Sequence, residues 1–142
     1  MESSQPEAGL VDALAQTAFT VMAVLNRVGA EYDLSLTQLR VLGILRDRRL
    51  RITALADYLG LEKSTMTGLV DRAEKRGLLA RAPSATDGRA VDVFITPQGE
   101  ALAGPVYRRV VELLTPLLEA LPPAGRSQLR ANLEQMLGQR QP

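Results

Sequence analysis

The residues best placed to do chemistry lie in one short stretch. Lys63, Ser64, Thr65, Thr67, Gly68, Asp71, Arg72 and Lys75 alternate with Met66, Leu69, Val70 and Ala73 at helical spacing. On a helix that spacing separates hydroxyls, a glycine and cations from an apolar side. Such a face suits close approach to a nucleic-acid duplex, because Ser and Thr can bond bases or phosphates without holding the helix away, while Lys and Arg neutralise phosphate. A solvated helix surface could have a similar composition, so the neighbouring segments carry weight. Just downstream, Arg81 and the tripeptide Asp87-Gly88-Arg89 place further cations where a hairpin is expected. Minor grooves attract Arg through their negative potential, so Arg81 and Arg89 are candidate groove contacts. Asp87 would repel phosphate, and its expected role is to orient Arg89 or Arg81 by a charge-assisted bond. Structural salt bridging is the alternative for these arginines.

The elements that would hold these residues can be read from periodicity. Leu55, Ala56 and Leu59 after Thr53 form a short helix stopped by Gly60, and a second helix from Glu62 runs to Gly77. Ala56 lets the two helices cross closely, Gly60 permits the turn, and Leu55, Leu59, Leu61, Met66 and Leu69 would lock the crossing, which is the logic of a helix-turn-helix. After Gly77 the pattern alternates: Leu79–Pro83 and Val91–Ile95 read as two strands around a polar loop. Upstream, apolar residues from Leu10 to Tyr32 mark a long helix. A further helix over 36–45 follows Ser35, with Gln38 completing a capping box, and should end near 46–49. Downstream, Thr96 and Pro97 open a helix whose stripe runs from Val106 to Leu121, with Pro105 and Pro116 predicting a kink or break. Pro122-Pro123 forces a turn, and a last helix ends at Gly138. The fold expected is mostly α with a small β-hairpin wing: a winged helix-turn-helix over 35–96, and a helical dimerisation region over 1–34 and 97–142. Dimerisation follows from an apolar excess, Leu113, Leu114, Leu117, Leu118 and Leu121, beyond what one small domain can cover.

Composition narrows the function classes. The 142 residues contain no Cys and no His, which removes thiolate chemistry and the commonest acid/base group and metal ligand; neither an enzyme nor a metal or other cofactor is expected. The net charge of +1 is unevenly spread: residues 1–35 hold one basic and five acidic groups, 36–60 hold five basic and two acidic, and 61–91 hold six basic and four acidic. A basic centre between acidic or neutral flanks is the footprint expected of a phosphate-binding middle. No uncharged apolar run approaches the roughly 18 residues of a membrane span. The acidic start, MESSQPEAG, does not resemble an export signal, so a cytoplasmic protein without a membrane partner is expected.

Over almost its whole length the chain resembles the MarR family of winged helix-turn-helix transcriptional regulators. The residues that carry the likeness run from Ser64 to Arg81, matching the recognition helix and wing entrance, and from Asp87 to Thr96, matching the wing motif and exit. The resemblance implies a homodimer whose first and last two helices interlock, with each recognition helix in a major groove of double-stranded DNA and each wing in an adjacent minor groove. It also implies control by a small ligand, held where the first, second and long fifth helices meet. With thiol and zinc sensing set aside, a non-covalent organic effector is the default; Phe19, Met22, Leu36 and Leu39 could line its pocket, although ordinary core or dimer packing is the weightier reading of the four. A sequence-specific regulator is therefore expected, a repressor because an occupied operator readily excludes polymerase. The competing reading is a winged helix that binds a protein partner instead of DNA. Two departures from the family pattern stand out: Gly68 sits where some relatives carry a long side chain on the base-reading face, and Glu62 occupies the capping position where Ser or Asp would serve better.

Overall fold

A computed structural model describes residues 4–138 of the chain; of the regions 1–34 and 97–142, residues 1–3 and 139–142 lie outside the described residues. The elements are α1 (Ser4–Glu31), α2 (Leu36–Leu45), β1 (Leu50–Arg51), α3 (Ile52–Leu59), α4 (Lys63–Lys75), β2 (Leu79–Pro83), β3 (Val91–Ile95), α5 (Pro97–Leu118) and α6 (Pro123–Leu137).

Local chemistry sets most of the boundaries. At the start of α2 the Ser35 hydroxyl accepts from the Gln38 amide at 3.1 Å while the Gln38 side chain accepts from the Ser35 amide at 3.0 Å, so the capping box forms as expected. Gly60 ends α3 in the left-handed region, at φ 66°, and the Leu61 amide reaches back to the Ala56 carbonyl at 3.0 Å. Gly77, at φ 75°, does the same for α4, with the Leu78 amide on the Ala73 carbonyl. Both positions need a residue without a Cβ penalty there. At the start of α5 the Thr96 hydroxyl accepts from the Gly99 amide at 3.0 Å and donates to the Gly77 carbonyl, fastening α5 to the end of α4.

The sheet has the order β1-β3-β2 and is antiparallel throughout, with Leu79 opposite Ile95 and Pro83 opposite Val91. The two wing strands occupy the expected residues; β1, pairing Leu50 with Val93 and Arg51 with Asp92, is an addition. The core lies where α2, α3 and α4 meet the sheet and the adjoining parts of α1 and α5, around the fully enclosed side chains of Val28, Leu45, Leu55, Met66, Val70 and Val93.

Two expectations need correction. The first helix begins at Ser4 rather than near Leu10, because its N-terminal turns add no apolar period to read. No break occurs in α5: it is one helix from Pro97 to Leu118 with Pro105 and Pro116 inside it. Ala103 and Val106, on either side of Pro105, are both buried, so packing holds the helix across the lost hydrogen bond. The stretch Glu7–Glu31 of α1 is also long and apolar enough, at a mean hydropathy of 1.6, to span a bilayer by length and composition. Its apolar side chains Leu10, Leu14 and Val21 instead line a groove with α5 and α6.

Near the end of α1, Arg109 of α5 grips Glu31 with two hydrogen bonds, of 3.0 and 3.2 Å, and also pairs with Glu112 at 3.1 Å. The hydrogen bond from Arg109 is the main reason that the Glu31 carboxyl titrates below its ordinary 4.5. A carboxyl depressed by folding contributes stability above its unfolded value and loses it as pH falls through the lowered folded value. Glu31→Gln is therefore expected to lower the melting temperature at pH 7, with the difference from the parent protein vanishing as the pH is taken below 4.5 and through the lowered value; a difference constant with pH would contradict this.

Candidate nucleic-acid interface

The recognition face forms as a surface of α4. Lys63, Ser64, Thr65, Arg72 and Lys75 are exposed, Thr67, Gly68 and Asp71 are half-buried, and Met66, Leu69, Val70 and Ala73 are turned into the core. No side chain caps the helix at Glu62. The cations Lys63, Arg72 and Lys75 have no carboxylate partner among the described residues, whereas Asp71 is taken up by the wing. The Thr67 hydroxyl donates to the Lys63 carbonyl one turn back at 2.9 Å, which uses its proton and leaves its lone pairs and methyl for a ligand.

Gly68 has a structural reason. A Cβ built there would lie 3.4 Å from the Arg72 Nη1, so the Arg72 guanidinium folds across the space that a longer side chain at position 68 would occupy. Replacing Gly68 with alanine is expected to raise stability by about 0.5–1 kcal/mol through helix propensity, since the contact is near ordinary van der Waals range. A lower midpoint in urea denaturation would show instead that the Arg72 position is packed too tightly to give.

Two wing residues are engaged within the protein. The Arg81 guanidinium is 2.5 Å from Asp71 and 3.3 Å from Glu74, on the same helix as the recognition face. These bonds, first from Asp71 and then from Glu74, raise its pKa further above the ordinary arginine value. Salt bridging is thus its structural role, and it ties the hairpin to α4. Asp87 binds neither guanidinium; its Oδ1 accepts the backbone N–H of Arg89 at 3.1 Å. A short carboxylate two residues from an amide closes an Asx turn more readily than it reaches a mobile arginine head. The loop is further set by the Ser84 amide on the Ala90 carbonyl at 2.9 Å and the Thr86 amide on the Ser84 hydroxyl at 3.3 Å. Arg89 is exposed at its tip, without a carboxylate partner among the described residues.

Two arginines at β1 were missed in the sequence. Arg49 binds Asp92 at 2.9 Å and the Pro83 carbonyl at 3.2 Å and lies 4.9 Å from the centre of the Phe94 ring. Arg51 donates to the Thr86 hydroxyl at 3.3 Å. The basic excess over residues 36–60 was the available signal, but a two-residue strand has no period to place it.

Of the candidate effector residues, the structure brings only Leu39 to a cavity between α1, α2 and α5. That cavity, about 120 Å³, is lined by Leu25, Leu39, Arg46, Val106, Tyr107 and Val110, among others. Phe19 is 68% exposed on α1, while Met22 and Leu36 are half-buried away from this cavity. Their helical phase, which spacing alone does not fix against a partner helix, points them elsewhere. The polar handles that sequence reading did not find are Arg46 and Tyr107, stacked with the guanidinium 4.6 Å from the ring centre. A larger groove, about 750 Å³, opens between α1, α5 and α6, with Leu14, Val21, Leu117, Leu118, Leu133 and Met136 in its walls.

Known proteins resemble this arrangement. The MarR family model matches residues 32–90, from the end of α1 through the wing loop. The HTH-type transcriptional regulator PecS of Dickeya dadantii is 28% identical over 128 residues, covering 87% of this chain and 77% of PecS. Other curated regulators at 34% identity align over 54–59% of this chain, which spans little more than half of their own length, 52–58%. Among solved structures, the transcriptional regulator BldR from Sulfolobus solfataricus superposes with a TM-score of 0.79 at 23% identity, over 98% of this chain and 99% of its own. The structure of BpsR of Bordetella bronchiseptica, whose DNA binding is regulated by 6-hydroxynicotinic acid, gives 0.70 at 25% identity, over 88% and 90% of the two chains.

Proposed function

We propose that the chain is a member of the MarR family of winged helix-turn-helix transcriptional regulators, whose family model matches residues 32–90, and that it is a cytoplasmic repressor, binding a pseudo-palindromic operator as a homodimer and modulated by a small organic effector. The observation that carries the reading is the asymmetry of charge pairing: Lys63, Arg72 and Lys75 on α4 and Arg89 on the wing are left without carboxylates among the described residues, while Asp71 and Glu74 are engaged with Arg81 and Asp87 with the wing backbone. Lone cations converging from two elements suit a duplex, whose phosphates they neutralise.

The homodimer is supported by the groove between α1, α5 and α6. Leu117 is 45% exposed and Met136 53% exposed there, and apolar surface of that extent on a small domain marks a partner contact. Residues 1–34 and 97–142 would supply that contact, with 35–96 as the DNA-reading unit. The effector would enter between α1, α2 and α5, where Arg46 offers a cation and Tyr107 an aromatic face and a hydroxyl in an otherwise apolar wall. This combination favours a planar molecule bearing an acid group.

Selection from a random duplex pool tests the reading. The expected product is a pseudo-palindrome with half-sites about 34–36 Å apart, bound by two chains. A single unsymmetrical site bound by one chain, with a monomer by light scattering, would overturn the dimeric part.

A further inference from the structure

We propose that Arg51 is a second phosphate-binding residue of the wing, contacting the sugar-phosphate backbone beside the groove that Arg89 approaches. The proposal rests on the DNA-binding reading above and adds a residue from outside both the recognition helix and the hairpin.

The argument starts from the ladder. Arg51 stands directly opposite Asp92 on β3, so an ion pair between them would be the simplest outcome. That carboxylate is instead taken by Arg49, at 2.9 Å, and is only 12% exposed beneath it. Arg49 is held three ways, by Asp92, by the Pro83 carbonyl and by the Phe94 ring, and has little freedom to yield its place. Arg51 is left exposed with no carboxylate partner among the described residues, and its side chain bonds the Thr86 hydroxyl in the wing loop.

The consequence is a positioned but uncompensated cation. Thr86 is itself fixed, through its amide and hydroxyl, to the Ser84 side chain, so the guanidinium rests on an ordered loop. One of its N–H groups serves Thr86, and the remaining donors of the planar fork are free for a phosphodiester, which matches that geometry. Thr86 is three residues from Arg89, whose backbone is set by Asp87. Two arginines therefore meet at the wing loop, Arg89 from the loop itself and Arg51 delivered by β1. A cation held in advance loses little conformational entropy when it meets phosphate.

Binding of a fixed duplex, followed by fluorescence anisotropy over a series of salt concentrations, tests the assignment. Neutralising one phosphate contact per chain should make the slope of log K against log salt shallower by about 0.9 for each chain bound. Arg51→Gln is expected to show that change together with a several-fold weaker affinity on every sequence, and Arg51→Lys to restore the slope because it keeps the charge. Arg89→Ala, measured alongside, should also flatten the slope. If Arg51→Gln keeps the parent slope while Arg89→Ala loses part of it, Arg51 only props the loop and the proposal falls alone. An unchanged slope in Arg51→Gln with merely reduced affinity, repeated in Thr86→Val, would identify the same propping role. If the parent protein binds no duplex at low salt, the proposal falls together with the DNA-binding reading.

Discussion

Replacing Leu55 with alanine is expected to lower the free energy of unfolding by about 2–5 kcal/mol, the range for deleting a large aliphatic side chain from a packed core. Leu55 is completely enclosed on α3, in the cluster that includes Met66, Val70 and Val93. Those side chains fix how α4 sits against α3 and the sheet, so the cavity lies directly under the recognition helix. Urea denaturation would show a lower midpoint with little change in slope if the loss is purely of packing. Duplex affinity should fall as well, at temperatures where the variant is still folded, because the reading face loses its support. A cost below about 1 kcal/mol would mean that the site collapses and that Leu55 does not set the crossing.

The second large effect concerns the recognition face. Arg72→Ala is expected to weaken binding to the selected operator by about 1–3 kcal/mol, roughly 5- to 150-fold, with a much smaller loss on unrelated sequences. Arg72 qualifies because it is exposed, lacks a carboxylate partner among the described residues and lies across Gly68, which brings its guanidinium close to the helix surface. Arg89→Ala should behave differently, weakening all sequences alike, since a wing cation acts through groove potential and phosphate. Competition titrations with operator and scrambled duplexes would separate the two. Equal losses for both variants on both duplexes would remove the division between a reading helix and a steering wing. Thr67 is a weaker test than its place on the face suggests, because its hydroxyl proton already serves the Lys63 carbonyl.

What could be read in the sequence was what depends on near neighbours. Ser35 and Gln38, three residues apart, announce the α2 cap; Gly60 and Gly77 mark helix ends; and alternation sets the strand limits at Leu79–Pro83 and Val91–Ile95. The exposed and buried sides of α4 follow from its period in the same way. What was not legible depends on contacts between distant residues. Whether Arg81 meets a groove or Asp71 is decided by how the hairpin leans on α4, and the structure has it on Asp71 and Glu74. Arg46 and Tyr107 belong to different helices, and their stacking exists only once α2 and α5 pack. Arg49 and Arg51 have adjacent roles but different fates, because there is one carboxylate, Asp92, for two guanidinium groups. At Pro105 the expected break does not occur, and the helix is buried on both sides of it.

The arrangement joins these parts into one account. Glycine turns at Gly60 and Gly77 end α3 and α4, the core beneath Leu55 and Met66 holds them, and the Arg81 bridges set the wing against the reading helix. Charge pairing then leaves the cations of α4 and the wing loop as the unsatisfied groups on that side. The most direct test is equilibrium binding of the full chain to a duplex at about 50 and 200 mM salt. Affinity is expected at low salt, falling on the order of 10³-fold at the higher concentration if the dimer makes six or more phosphate contacts. No binding at low salt, or binding indifferent to salt, would contradict the account and turn attention to a protein partner for the same winged surface.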